Sequence, residues 1–179
     1  MGDFAKLTPE LKLVYWGDGK WVTEPDSFEF EYKGFTCFGK RFGIWDGPNA
    51  DHLFGGQWNG YIILPQDHPW YGKRLSNEDF FDIEIHGGIT YCDYAPTEWG
   101  DNKKFIIGFD CGHSYDLTPS MIDMKKRVME DMLNKMPSLM RQIAENSSIF
   151  KETYRTYEFV VEEVKKLADQ AKEAYETMA

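Results

Sequence analysis

The sequence predicts an α+β protein, with an antiparallel sheet in the N-terminal half followed by two to three C-terminal helices. Three observations predict it. Apolar residues alternate with polar ones, or cluster in short runs between Gly and Pro turns, up to about residue 111. Beyond residue 116 the apolar period lengthens to three and four. The change of period falls once, so strands and helices are segregated rather than interleaved. The expected organisation is a β-rich region over 1–116 and a helical region over 117–179 packed on it, together one domain of 179 residues.

Taken in order, "LKLVYW" (11–16) and "KWVTE" (20–24) flank a "GDG" turn and predict a hairpin. "SFEFEY" (27–32) alternates apolar with acidic residues, as a strand with one wet face does. The runs 33–45, 57–65, 80–86, 88–94 and 104–111 supply five more strands. In 116–136, Asp116 or Thr118 can cap a helix whose first turn takes Pro119. Pro137 interrupts it, 138–146 forms a short second helix, and 149–178 a third without Pro or Gly. Along the third, Tyr157, Val160, Val164, Leu167, Ala171, Ala174 and Met178 make a seam, expected to pack on the protein's own sheet or to pair two chains through 150–179.

Composition narrows the function classes. Thirty Asp and Glu against twenty Lys and Arg leave a net charge of −10, which argues against a nucleic-acid binder. Residues 117–179 hold 10 basic and 11 acidic residues, so −9 falls on 1–116. Such a front end suits a basic groove on a partner protein. No apolar run approaches the ~18 residues of a membrane span, and the expected compartment is the cytoplasm. Three cysteines are too few for a disulfide framework.

The chemistry-bearing residues cluster at strand ends. "IEIHGGITY" ends a run at His86 with two glycines after it, which permit a sharp turn or a close approach by another group. "GFDCGHSYD" ends another with Cys111 and His113, which share a face if the backbone stays extended through Gly112. If the two ends are neighbours, a thiolate and imidazoles converge, a donor set that favours zinc. The expected ligands are His86, Cys111 and His113, with His68 of "DHPWYGK" the candidate fourth alongside Asp110, Cys92 or water. The competing readings are histidines that merely pack turns, a Cys–His catalytic pair, and a hydrolytic centre in which Asp110, Asp116 or Glu84 serves as general base.

The order "WNGYIILPQDHPWYGK … IHGGITY … IGFDCGH … YRTYEFVVEEVKKLA" resembles a group of small proteins encoded by bacterial prophages and mobile elements. Some members of such families are similar to anti-CRISPR proteins that inhibit Cas9, zinc-containing inhibitors among them. That resemblance implies a phage-type counter-defence protein, stapled by structural zinc and blocking a Cas9-like nuclease by stoichiometric binding in the host cytoplasm. Acidity fits it, because Cas9 holds its nucleic acids in positively charged channels. The alternatives are a metal-dependent hydrolase acting on a nucleotide signal, or a protein that sequesters such a nucleotide between aromatic side chains.

Overall fold

The computed structural model describes residues 7–45, 53–76, 78–96, 102–146 and 152–177. Met178, at the end of the predicted seam, lies outside them. Five strands, β1 (Ser27–Tyr32), β2 (Phe35–Trp45), β3 (Leu53–Leu64), β4 (Tyr91–Tyr94) and β5 (Phe105–Asp110), form one sheet in the order β1-β2-β3-β5-β4. Every neighbouring pair is antiparallel. Helices α2 (Ile122–Lys135), α3 (Ser138–Asn146) and α4 (Tyr157–Thr177) follow, so the α+β class holds, and a short α1 (Pro9–Trp16) precedes the sheet. Among the described residues no helix is long and apolar enough to cross a membrane.

The central strands β3 and β5 are apolar on both faces because both faces are covered. On one face lies α4, whose Val160, Val164, Leu167, Ala168 and Ala171 are fully buried with Trp58, Ile62, Ile107 and Phe109. The predicted seam is therefore used against the chain's own sheet. Gly60 makes the approach possible, since a Cβ there would stand 2.5 Å from Val164 Cγ2. The other sheet face carries a smaller cluster of Phe38, Tyr61, Ala95 and Ile106. Helices α2 and α3 behave differently: Val128, Leu139, Met140 and Ile143 on them are all exposed.

Two predicted elements are absent. Residues 11–24 form no hairpin. Thr8 accepts from the Leu11 N–H, Pro9 opens α1, and Gly17 ends it at a φ of 70°. Trp16 is buried with its Nε1 on the Leu53 carbonyl at 2.9 Å, and Trp21 folds back onto the Gly17 carbonyl in a 3₁₀ turn. The Thr-Pro cap outweighs the hairpin signal of "GDG".

Residues 80–86 form no strand either. Phe80 and Ile83 are buried, as their apolar character requires, but the N–H groups of Phe81, Ile83 and Ile85 close local turns while Glu84 and His86 bond to side chains of α4. Gln170 accepts from the Glu84 N–H at 2.8 Å and donates to the Glu84 carbonyl at 3.2 Å, and Glu163 accepts from the His86 N–H at 2.8 Å. Two helix side chains thus replace a strand ladder and fix the height of His86 along α4.

Candidate metal centre

The turn after β5 decides where the predicted ligands go. Cys111 still follows the sheet, with its N–H on the Trp58 carbonyl, so the period of two turns it into the core beside Phe109. Then Asp110 Oδ1 accepts from the Gly112 N–H at 2.8 Å and the chain leaves the extended path. Cys111 and His113 therefore do not share a face. Cys111 is 1% exposed, and burial pushes its thiol far above the ordinary value, with the charges of Asp116 and Asp110 adding to the effect. The thiol lies outside the group of donor atoms that converge at this site.

Past Gly112 the chain closes a turn, with the Asp116 N–H on the His113 carbonyl at 2.9 Å. It then pairs with the segment leading into α4, through Thr153 N–H to Tyr115 carbonyl at 2.9 Å and Leu117 N–H to Thr153 carbonyl at 3.0 Å. That pairing brings Arg155 beside Asp116, with Nε 2.7 Å from Oδ1. The other carboxylate oxygen, Oδ2, lies 2.7 Å from Nε2 of His86 and 3.4 Å from Nδ1 of His113, and accepts from the His113 N–H at 3.1 Å.

His86, His113 and Asp116 thus bring three ligand atoms within 4.8 Å of one another, a group that can hold a metal ion. Around tetrahedral zinc, with bonds near 2.0–2.1 Å, neighbouring donor atoms sit about 3.3 Å apart. The 3.4 Å separation already matches, and the 2.7 Å one needs to open by about half an ångström. His113 Nδ1 is sealed from solvent yet makes no hydrogen bond, its approach to Asp116 being poorly aligned. A buried nitrogen left without a partner is costly, and a metal ion would satisfy it.

Asp116 is 1% exposed at its side chain. Burial pushes its carboxyl up, but hydrogen bonds with His86, Arg155 and the His113 N–H outweigh burial and hold it below the ordinary value. It is therefore an anion, the form a ligand needs. Sequence reasoning took Asp116 for a helix cap or a general base. The spacing H-x-x-D over 113–116 was the available signal for a ligand. Arg155 carried none, because only the fold places it here.

Gly87 explains the first glycine of "HGG". Its φ is 68°, and a Cβ would stand 2.0 Å from Cε1 of His113. Gly88 also has a positive φ, 78°, but faces open space. Gly87→Ala is expected to displace the His113 ring and so weaken the group's hold on any metal ion by about tenfold or more. Gly88→Ala, with the same backbone strain and no clash, serves as the control in a competitive zinc titration. Equal affinities in the two variants would count against the placement of His113.

His68 lies elsewhere. Its Nδ1 accepts from the Trp70 N–H at 3.0 Å and its Nε2 meets the Ala171 carbonyl at 2.9 Å, so both nitrogens are engaged in a neutral tautomer. Ala171 is eight residues beyond Glu163 on α4, roughly 12 Å of helix from His86's anchor. The role of His68 is to clamp the 65–73 turn to α4. Burial pushes its imidazole below 6.5, despite the Ala171 bond that favours the charged form. Below that value the unfolded chain takes up a proton that the folded chain resists, so stability falls as pH drops. His68→Gln should flatten the stability profile below about pH 6.5, measured by urea melts. Parallel profiles would refute this reading.

Comparison of the chain with known protein families, characterised proteins and solved structures finds no match. The functional reading rests on the residues alone.

Proposed function

We propose that His86, His113 and Asp116 hold one zinc ion with a position left for water, and that the chain is a metal-dependent hydrolase. The observation that carries this reading is the unpartnered, buried Nδ1 of His113 within a group of three donors. Structural zinc sites close with four protein ligands, whereas catalytic ones keep three and a water. The side chains of His113 and His86 are 33% and 16% exposed, so their rings reach the surface although His113 Nδ1 and the Asp116 carboxylate are enclosed. When bound, zinc lowers the pKa of its water to about 7. Asp110, 38% exposed and 4.0 Å from His113 Nδ1, is the carboxylate placed to take that proton.

The test is elemental analysis of the purified chain and of Cys111→Ser, followed by turnover of chromogenic phosphate esters. Both proteins are expected to carry about one zinc per chain, and a chelator to abolish a multiple-turnover activity that zinc restores. A chain without bound metal, or Cys111→Ser without metal, would defeat the proposal.

A second reading is favoured by charge. With −9 on residues 1–116 and an exposed Met- and Leu-bearing face on α2 and α3, the chain also suits stoichiometric binding to a basic protein groove, the Cas9-inhibiting role that the resemblance implies. Inhibition of a Cas9-type nuclease that saturates at a fixed molar ratio, unaffected by chelator, would favour it over hydrolysis.

A further inference from the structure

Arg155 is more than a prop for Asp116. Its Nε takes Asp116 Oδ1, while Oδ2 faces the two histidines, so the guanidinium and the metal position occupy the two oxygens of one carboxylate. The guanidinium is held in orientation from below: Cζ lies 4.9 Å over the Phe159 ring, and the same ring meets His86 at 5.4 Å. Among the described residues Nη1 and Nη2 make no hydrogen bond, and the side chain is 24% exposed. A fixed fork with its donors uncommitted, beside a divalent cation, is an anion receptor awaiting its ligand.

Charge points the same way. A divalent ion, Arg155 and anionic Asp116 sum to +2, and Asp110 at the rim leaves +1. Glu163 beneath His86 is offset by Lys166 at 2.5 Å. A local positive centre in a chain of net charge −10 singles out an anionic ligand. Resting on the zinc reading, we propose that the ligand is a phosphoryl group, one oxygen on the metal and others accepting from the Arg155 Nη donors. A phosphate oxygen about 2 Å from the metal leaves its neighbours free to reach a guanidinium at about 2.8 Å. Two planar carboxylate oxygens would engage the metal and only one donor. Arg155 is accordingly a substrate-binding residue, and the substrate class is a phosphate ester.

The experiment is calorimetric titration of inorganic phosphate into the zinc-loaded full chain, with acetate as the carboxylate arm and metal-free protein as control. Phosphate is expected to bind the zinc form only, and more tightly than acetate. Arg155→Gln, which removes a partner of the Asp116 carboxylate and is therefore compared at saturating zinc, is expected to lose about tenfold or more in phosphate affinity. Arg155→Lys, which keeps the charge without the fork, should fall in between, and carries the measurement if the Gln variant fails to fold. A zinc-loaded chain that ignores phosphate, prefers acetate, or binds phosphate equally well in both Arg155 variants overturns this inference and leaves the zinc reading standing. Failure to bind zinc at all removes both.

Discussion

Asp116→Asn is expected to abolish tight metal binding. Asparagine keeps the shape and one acceptor, but it removes the anion that completes the donor set and faces Arg155. Losing an outer-shell partner of a metal ligand costs 10–100-fold in affinity, so losing a charged ligand should exceed about a hundredfold. The metal-free chain should weaken as well. Truncating one member of an enclosed ion pair costs about 3–5 kcal/mol, and because Arg155 is about a quarter exposed the loss here belongs lower, about 2–3 kcal/mol. Zinc titration and urea melts in chelator separate the two effects. Cys111→Ser, by contrast, should keep its zinc, since that thiol points into the core. An Asp116→Asn chain that binds zinc as tightly as the native one would show that the two histidines need no carboxylate, and the centre as described would fail.

Arg41→Ala should produce the largest loss of stability. The Arg41 side chain is 2% exposed and sits at the junction of α1, β2, β3 and the approach to α4. Its Nε meets Asp26 at 2.9 Å, Nη2 meets Glu24 at 3.0 Å, and Nη1 donates to the Gly56 carbonyl at 2.6 Å and the Tyr154 hydroxyl at 2.8 Å. The guanidinium lies 4.6 Å over Trp58. Glu24, 9% exposed, accepts in turn from Tyr154, from Trp58 Nε1 and from the Tyr157 N–H at the start of α4. Deleting Arg41 would leave that carboxylate enclosed without its cation, at a cost of about 3–5 kcal/mol from a typical total of 5–15. Arg41→Lys should recover less than half, because an ammonium lacks the planar fork that serves five acceptors at once, the Pro25 carbonyl among them. Denaturant midpoints check both variants, and a loss under about 1 kcal/mol for Arg41→Ala would mean the network is not a determinant of stability. Tyr154 is one residue from Arg155, so this junction also bears on how the His86, His113 and Asp116 group is held.

The strands that pair with strands were legible. "SFEFEY" alternates because β1 has one wet face, and "FIIGF" is continuously apolar because β5 is covered on both. The α4 seam was legible too, since its spacing of three and four depends only on the helix. Where the reading failed, a partner distant in sequence or a competing local cap decided the outcome. "FFDIEIH" alternates like a strand, but Glu84 and His86 bond to Gln170 and Glu163, more than seventy residues away, while the Phe81, Ile83 and Ile85 N–H groups close local turns. "LKLVYW" is a helix because its cap at Thr8 and the anchoring of Trp16 on Leu53 outweigh a nearby turn signal.

The same division runs through the candidate site. His86 and His113 stand out locally, each at the end of an apolar run beside glycine. Cys111 stands out equally, yet the alternation of a strand that continues one residue further buries it, and His68 has both nitrogens taken by backbone groups. The sequence by itself determined the division into a sheet half and a helical half, the apolar faces of β1, β5 and α4, and the two imidazoles, because those follow from local period and residue chemistry. Only the tertiary structure decided that Asp116 and Arg155 complete the site. The reason is physical: one turn at Gly112 and one short pairing with Thr153 set their distances, and neither leaves a periodic trace in the chain.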